Sequence, residues 1–489
     1  MITIFALLLL PLGATVLAAR NFSSVINHRV TLLVGGAHLL ASLYCLITRE
    51  NPFPSGWWLS VDPLAALFLT ILSHTFVLVT LYSPGFLQRM EGTEYDRSKR
   101  LYYAALNFFL LANTLVIIVQ QFALLWVVME LTTFSVVPLI FFYRTKESLE
   151  AVWKYLFLVS LGLAFLFIAV LFLGLSAHNA VDYTGFVVAR LAEAAPQLNP
   201  LWLKASFIFA LVGLSTKIGL APMHPADIDA TANAPAPIAA LMAGSLRSTA
   251  FLALLRFYQV VSLSSIRPFA DKLLIFAGLF SLGVAAVYIW RNRNYKRLLA
   301  YSSVEHLGII ALGVGIGGVA LLGALLHLLF NSLGKTALFF MAGNIHRGYG
   351  SRRVEAITGL LRHLPWSGLV WALAFFYIIG TPPFGIFFSE LFILRGMIEG
   401  ADWLPLVLFV VLLFVVFVGM SRAVLRMLHT PDVPKADSTS LALIAGERLN
   451  LSHFLGFYAL GVSVPLAVLQ PSGLFDALHT ILTSFQGNS

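Results

Sequence analysis

The sequence predicts an all-α polytopic membrane protein with about fourteen transmembrane helices, two of them broken. Three observations carry this. Hydrophobic residues make up 59% of the 489-residue chain and charged residues only 11%, against about 25% charged in ordinary globular proteins. Apolar runs of about 20 residues, the length a helix needs to cross a bilayer, recur along the whole chain. Lys and Arg gather in the short stretches between those runs, as they do in membrane proteins. A soluble chain of this length would divide into several domains and expose far more apolar surface than so few charges can solubilise.

Taken in order, the span cores fall near residues 2–19, 30–47, 62–83, 101–119, 122–143, 152–174 and 203–222. The series continues with 236–258, 271–290, 299–316, 318–343, 366–394, 403–427 and 452–469. The first run lacks a preceding basic residue and a small-residue cleavage site, so it reads as a retained helix rather than a signal peptide. The stretch Ala177–Pro200 is less hydrophobic and suits an interface. Trp57, Trp58, Tyr102 and Tyr103 stand near span ends, where interfacial aromatics belong.

The single cysteine, Cys45, excludes a four-thiolate Fe–S cluster or a disulfide framework within the chain. No P-loop, dinucleotide-binding glycine pattern or zinc-type His/Glu spacing occurs. Any redox reaction therefore belongs to another subunit. The net charge of +9 is spread over loops rather than collected on one face, which argues against nucleic acid as a partner.

About 21 of the 31 Lys and Arg residues fall in or beside loops that follow odd-numbered spans, and about 7 beside the even ones. The clusters are Arg97, Lys99 and Arg100; Arg144, Lys146 and Lys154; Arg291, Arg293, Lys296 and Arg297; and Arg347, Arg352 and Arg353. The positive-inside rule puts the odd loops in the cytoplasm and both termini on the outer face.

Two spans contain breakers: Lys217-Ile-Gly-Leu-Ala-Pro222, and Gly380-Thr-Pro-Pro-Phe-Gly385 followed by Glu390. Proline removes a backbone hydrogen bond and kinks or breaks a helix. At membrane depth that is tolerated only where protein or a wet cavity satisfies the freed groups. A pair of interrupted helices five spans apart suggests two related five-helix units, each with an ion path. Ordinary kinked helices are the alternative.

Charges fall deep inside apolar runs at Glu130, Lys217, Arg247, Lys335 and Glu390. Each costs at least roughly 2.5–3.5 kcal/mol at the centre of a span, so such residues mark ion paths. Burial disfavours an ammonium charge and a nearby carboxylate restores it. A lysine so placed gains or loses a proton as its partner approaches or leaves. Glu130 is the candidate partner of Lys217, with a permanent structural ion pair as the other reading. His327, Asn331 and Lys335 repeat at i, i+4 and i+8, on one helix face over roughly 12 Å. His and Lys pass protons through water that Asn can orient, although His327 also suits a hydrogen-bonded packing role. Glu305 and His306 near the start of a span, and His224 and Asp229 after the first break, are candidates for proton uptake from the cytoplasm. Asp227 lies beside them; a helix cap or a solvated loop acid is the alternative for this group.

These stretches resemble the antiporter-like proton-pumping subunits of respiratory complex I, Mrp-type antiporters and membrane-bound hydrogenases. The resemblance rests on TKIGLAPMHPADIDATANAPAPIAALMAG at 216–244 and YKRLLAYSSVEHLGIIALGVG at 295–315. LHLLFNSLGKTALFFMAGN and GTPPFGIFFSELFILRG complete it. It covers roughly residues 60–430, and SSVEHLG and GTPPFGIFFSE are most similar to the F-type membrane component of hydrogenase-4 and formate hydrogenlyase complexes. The resemblance implies two inverted five-helix repeats. The segments are then 1–95 (three helices), 96–262 (helices 4–8), 263–430 (helices 9–13) and 431–489 (a C-terminal helix and tail). It also implies a Glu130–Lys217 modulating pair, a central axis through His327 and Lys335, and an exit at Glu390. Where the family often has a Lys in span eight this chain has Ser248 preceded by Arg247, and Asn331 stands at a common His position. An arginine stays protonated and is a poor relay.

The expected function is H⁺ translocation, with Na⁺ as the alternative ion, in a multi-subunit complex of a prokaryotic plasma membrane. Fe–S and NiFe centres, or quinone and NADH sites, are expected on partner subunits. A stand-alone or Mrp-type cation/H⁺ antiporter and a non-conducting scaffold are the competing functions.

Overall fold

The computed structural model describes residues 2–20, 22–54, 58–87, 93–178, 180, 186–429 and 447–486; over 93–97 it describes the backbone alone. Trp57, the Arg97 side chain and the expected segment boundary at 430/431 lie outside the described residues. Among the described residues, thirteen helices are long and apolar enough to cross a membrane. The first seven are α1 (Ile2–Ala19), α2 (Ser24–Thr48), α3 (Pro63–Leu87), α4 (Ser98–Ile118), α5 (Phe122–Tyr143), α6 (Lys146–Ala177) and α7 (Pro200–Ile218). A short helix α8 (Pro225–Asn233) follows, then α9 (Ala236–Ser262), α10 (Arg267–Arg291), α11 (Tyr295–Ile316) and α12 (Gly318–Tyr349). The twelfth expected span consists of α13 (Pro365–Ile378) and α14 (Gly385–Glu399) around a non-helical break. Helices α15 (Trp403–His429) and α16 (Leu451–Val468) complete the set, giving the fourteen spans read from the sequence.

Local chemistry fixes the helix starts. Asn199 and Asn294 turn their side-chain oxygens onto the first free N–H groups of α7 and α11, as asparagine does at an N-cap. Pro200 follows its cap at the first helical position, where a missing N–H costs nothing.

The chain divides into two compact units, Met1–Ala234 with Ser245–Leu274 and Pro471–Ser489, and Pro235–Gly244 with Ile275–Gln470. In the first unit α6 and α7 cross at Gly162 and Gly213. A Cβ built on Gly162 would stand 2.6 Å from the Gly213 carbonyl oxygen, so only glycine permits this approach. In the second unit α10 and α11 cross in the same manner at Gly278 and Gly308.

Several details differ from the sequence reading. Tyr102 and Tyr103 are 1% exposed; Tyr102 is paired with Ser83 at 2.7 Å rather than held at an interface. Arg256 is buried and makes a bidentate ion pair with Asp62, the residue before α3, at 2.6 and 2.8 Å. Burial pushes the Asp62 carboxyl up, but Arg256 outweighs it and holds the group below its usual range. A helix α17 (Ser472–Ser484) occupies part of the expected tail and is tied within the first unit by Arg49–Asp476 at 3.1 Å.

Candidate functional site

Each break brings a carboxylate onto a glycine backbone. Helix α7 stops at Ile218, short of the expected end at 222, because Gly219 takes the left-handed conformation (φ +88). The Asp227 carboxylate of α8 then lies 3.0 Å from the position a Cβ on Gly219 would occupy. In the second unit Gly380 is left-handed (φ +71), and the half-buried Glu390 of α14 sets its carboxylate against that glycine. A larger residue at either glycine would displace the acid.

In the first unit Lys217 occupies the last turn of α7 and is 1% exposed. Its ammonium donates to the Met129 carbonyl and to the Thr132 hydroxyl, the latter at 2.6 Å, both on α5. The expected Glu130–Lys217 contact is not made. Glu130 is half-buried and acts on Lys217 through its field rather than through an ion pair. The buried ion pair is instead Asp227–Arg247, with both side chains 1% exposed. Arg247 also donates to Thr231 at 2.8 Å. The reason is that a guanidinium is permanently charged and its burial is tolerable only against a carboxylate. Arg247 follows a π-turn at Met242–Leu246 in α9, the kind of local unwinding found at functional sites.

Several buried polar atoms here have no hydrogen-bond partner among the described residues: Asp227 Oδ1, Arg247 Nε and Nη1, and the Tyr155 hydroxyl. Tyr155 on α6 is within electrostatic reach of Asp227, Arg247 and Glu130. Such a concentration of unsatisfied atoms calls for internal water. His224 is buried just before α8. Asp229 meets Lys154 at 3.5 Å where both become accessible to solvent.

In the second unit Lys335 on α12 is fully buried and donates to the Ser302 hydroxyl and, at 3.3 Å, to the Leu299 carbonyl of α11. Glu305 and His306, expected near the start of a span, do not lie there. Asn294 caps α11 before Tyr295, which places both residues mid-helix, 5% and 0% exposed. They join the central cluster instead of a cytoplasmic mouth. His306 Nδ1 lies 2.9 Å from His327 Nε2, and His327 Nδ1 lies 2.9 Å from Ser389 Oγ.

The directions of these bonds follow from proton counting. Ser389 donates its only proton to the Ile386 carbonyl at 2.7 Å, so His327 Nδ1 must donate to Ser389. Neutral His327 then accepts at Nε2, and His306 Nδ1–H donates to it. His306 Nε2 is left as an acceptor with no partner among the described residues. Nitrogens of His306 and His327 and an oxygen of Glu390 all lie within 4.8 Å of one another. Glu305 and Glu390 are within electrostatic reach of each other, and Lys335 of Glu305 and His306. Asn331, between His327 and Lys335 on α12, is buried with Oδ1 unsatisfied.

The structure thus gathers His306, His327, Lys335, Glu305 and Glu390 in one unit and Lys217, Glu130, Asp227 and Arg247 in the other. Sequence reasoning missed Ser389, Ser302 and Tyr155. Ser389 precedes Glu390 and Ser302 lies in the SSVEH run, but a lone hydroxyl in an apolar helix carries no distinctive signal.

A sequence profile of the family described as "NADH:quinone oxidoreductase/Mrp antiporter, TM" matches residues 120–416. The chain is 31% identical over 473 residues to the hydrogenase-4 component F homolog of Methylacidiphilum infernorum, covering 95% of this chain and 97% of that protein. It is 32% identical to NADH-quinone oxidoreductase subunit 14 of Thermus thermophilus, covering 87% and 90%. Among solved structures, a chain of an archaeal membrane-bound sulfane sulfur reductase superposes with a TM-score of 0.84 at 20% identity, covering 99% and 97%. A chain of the Mrp complex from Dietzia sp. DQ12-45-1b gives 0.84 at 17% identity, covering 99% of both. These two likenesses concern the fold.

Proposed function

The chain belongs to the NADH:quinone oxidoreductase/Mrp antiporter membrane family, and on that premise we propose that it is a proton-translocating subunit of a complex-I-like, hydrogenase-type oxidoreductase. The observation that carries this reading is the directed His306–His327–Ser389 chain beside Glu305, Lys335 and Glu390. Groups that can exchange protons are held in series in an apolar interior, where a charged side chain costs several kcal/mol and so marks an ion path.

A proton arriving at His306 Nε2 releases Nδ1–H to His327 Nε2. His327 then releases its Nδ1 proton to the Glu390 carboxylate, while Ser389, the resting acceptor of that N–H, fixes the tautomer beside the path. One proton crosses the pair with no net charge left on either ring. Lys217 performs the companion step in the first unit. When a conformational change draws Glu130 to the ammonium, the charged lysine is favoured; when Glu130 withdraws, the proton held between Met129 and Thr132 is released. Arg247, locked to Asp227, holds charge and orients water but relays nothing. His224 and Asp229 supply the first unit from the cytoplasm.

In this reading the odd-numbered loops face the cytoplasm of a prokaryotic cell and both termini face outward. The redox centres, whether Fe–S, NiFe, quinone or NADH sites, reside on partner subunits. Purification of the complex in mild detergent tests the assignment: Fe–S and hydrogenase or quinone-reductase subunits should accompany the chain. Na⁺-dependent H⁺ exchange by the chain without such subunits would establish a cation/H⁺ antiporter instead.

A further inference from the structure

Four arginines surround a pocket of about 360 Å³ in the second unit, where the C-terminal ends of α10 and α15 meet the 351–355 loop. They are Arg291 and Arg293 at the end of α10, and Arg422 and Arg426 near the end of α15. Glu355 is the one acid in the lining. It lies 3.7 Å from Arg293 and 4.0 Å from Arg426, and so holds those two at the edge. Arg291 and Arg422 have no carboxylate partner among the described residues. The pocket therefore carries an excess of three positive charges.

The site is built rather than incidental. Gly419 lets α15 approach α10 so closely that a Cβ there would stand 3.1 Å from the Ile289 side chain. The loop is pinned by Val354 N–H donating to the Arg293 carbonyl at 2.8 Å and Tyr295 N–H to the Arg352 carbonyl at 3.1 Å. Trp290 lines the pocket and is exposed, as are Leu408 and Val411, three turns deeper on the face of α15 that carries Gly419 and Arg422. Tryptophan prefers the level of lipid headgroups. Guanidinium groups match phosphate oxygens with paired hydrogen bonds.

We propose that this pocket binds the phosphate headgroup of an anionic phospholipid, with its acyl chains along the apolar flank of α15. Basic pockets between transmembrane helices bind such headgroups by this chemistry. The exposed Trp290 and the apolar face of α15 below the charges favour a lipid over free phosphate.

The test uses the full chain in its purified complex, delipidated and titrated with phosphatidylglycerol, cardiolipin, phosphatidylcholine or inorganic phosphate, with bound species read by native mass spectrometry. Both anionic lipids should be retained in preference to phosphatidylcholine. Arg291→Gln with Arg422→Gln should weaken that retention about 30-fold, taking roughly 1 kcal/mol per charge. Glu355→Gln should strengthen it severalfold, and Arg395→Gln, away from the pocket, should leave it unchanged. Three results would overturn the proposal: equal retention of phosphatidylcholine; inorganic phosphate bound as tightly as the lipids; or a double variant that keeps its lipid but loses a copurifying subunit.

Discussion

The Arg247 guanidinium closes on the Asp227 carboxylate, both side chains 1% exposed, while Lys217 is satisfied by the Met129 carbonyl and the Thr132 hydroxyl. The permanently charged group has taken the buried carboxylate, and the titratable one is left on neutral acceptors. This division separates charge that is structural from charge that can move.

Breaking the structural pair from one side leaves an uncompensated buried charge. Arg247→Gln or Asp227→Asn should each destabilise the protein by about 3–5 kcal/mol. The double variant should recover most of the loss. Thermal unfolding of the detergent-solubilised chain measures all three; additive losses would show that the two residues do not depend on each other.

Lys217→Met removes a movable charge and leaves its neighbours' packing intact. Proton movement into sealed vesicles should be lost, with the complex assembled at normal yield. Because Glu130 is not in contact with Lys217, Glu130→Gln tests a conformational partner. It should abolish proton movement without lowering the melting temperature, and a large thermal shift would indicate a static structural role.

Ser389→Ala deletes the acceptor that fixes the His327 tautomer. A neutral hydrogen bond is worth about 1 kcal/mol, so proton flux should fall about fivefold if that loss falls on the transfer step. His327→Ala should remove flux altogether. Equal effects of the two substitutions would place Ser389 in the path itself rather than beside it.

Gly380→Ala places a Cβ at φ +71, on the Glu390 carboxylate. Backbone strain of about 1–3 kcal/mol is expected, with loss of proton flux because the acid is pushed away. Melting temperature and flux should fall together.

Glu447, outside the spans, accepts from the Trp366 and Ser367 N–H groups and the Ser367 hydroxyl, at 2.5–3.1 Å. It also lies 3.0 Å from His453. Burial pushes its carboxyl up, but the bonds from His453 and Ser367 outweigh that and hold it below the usual range. A depressed carboxyl stabilises the folded state above its unfolded value of about 4.3. That contribution is lost as pH falls through the folded value. Melting curves of the wild type and Glu447→Gln should differ at pH 7 and converge in acid; a constant gap would refute the assignment.

The spans were legible because an apolar run of about 20 residues has only one stable outcome in lipid. Both breaks were legible from their Gly and Pro residues, and Lys335 and His327 from their helical spacing. The partners were not. Arg247 lies 20 residues from Asp227 and Lys217 lies 85 from Thr132 in sequence, and three-dimensional packing decides such pairings. Glu305 and His306 were misplaced because the basic run before them suggested a loop, whereas the Asn294 cap starts α11 at Tyr295. Asn331, at a common His position of the family, is buried between His327 and Lys335 with its Oδ1 unpartnered among the described residues, in keeping with the water-orienting role read from its spacing.

The most direct measurement follows H⁺ uptake by sealed inverted vesicles containing the intact complex while its redox reaction runs, with wild type compared with Lys335→Met. Electron transfer should persist and the subunits should remain together while the proton signal disappears. Unchanged uptake in the variant would contradict the proposed function.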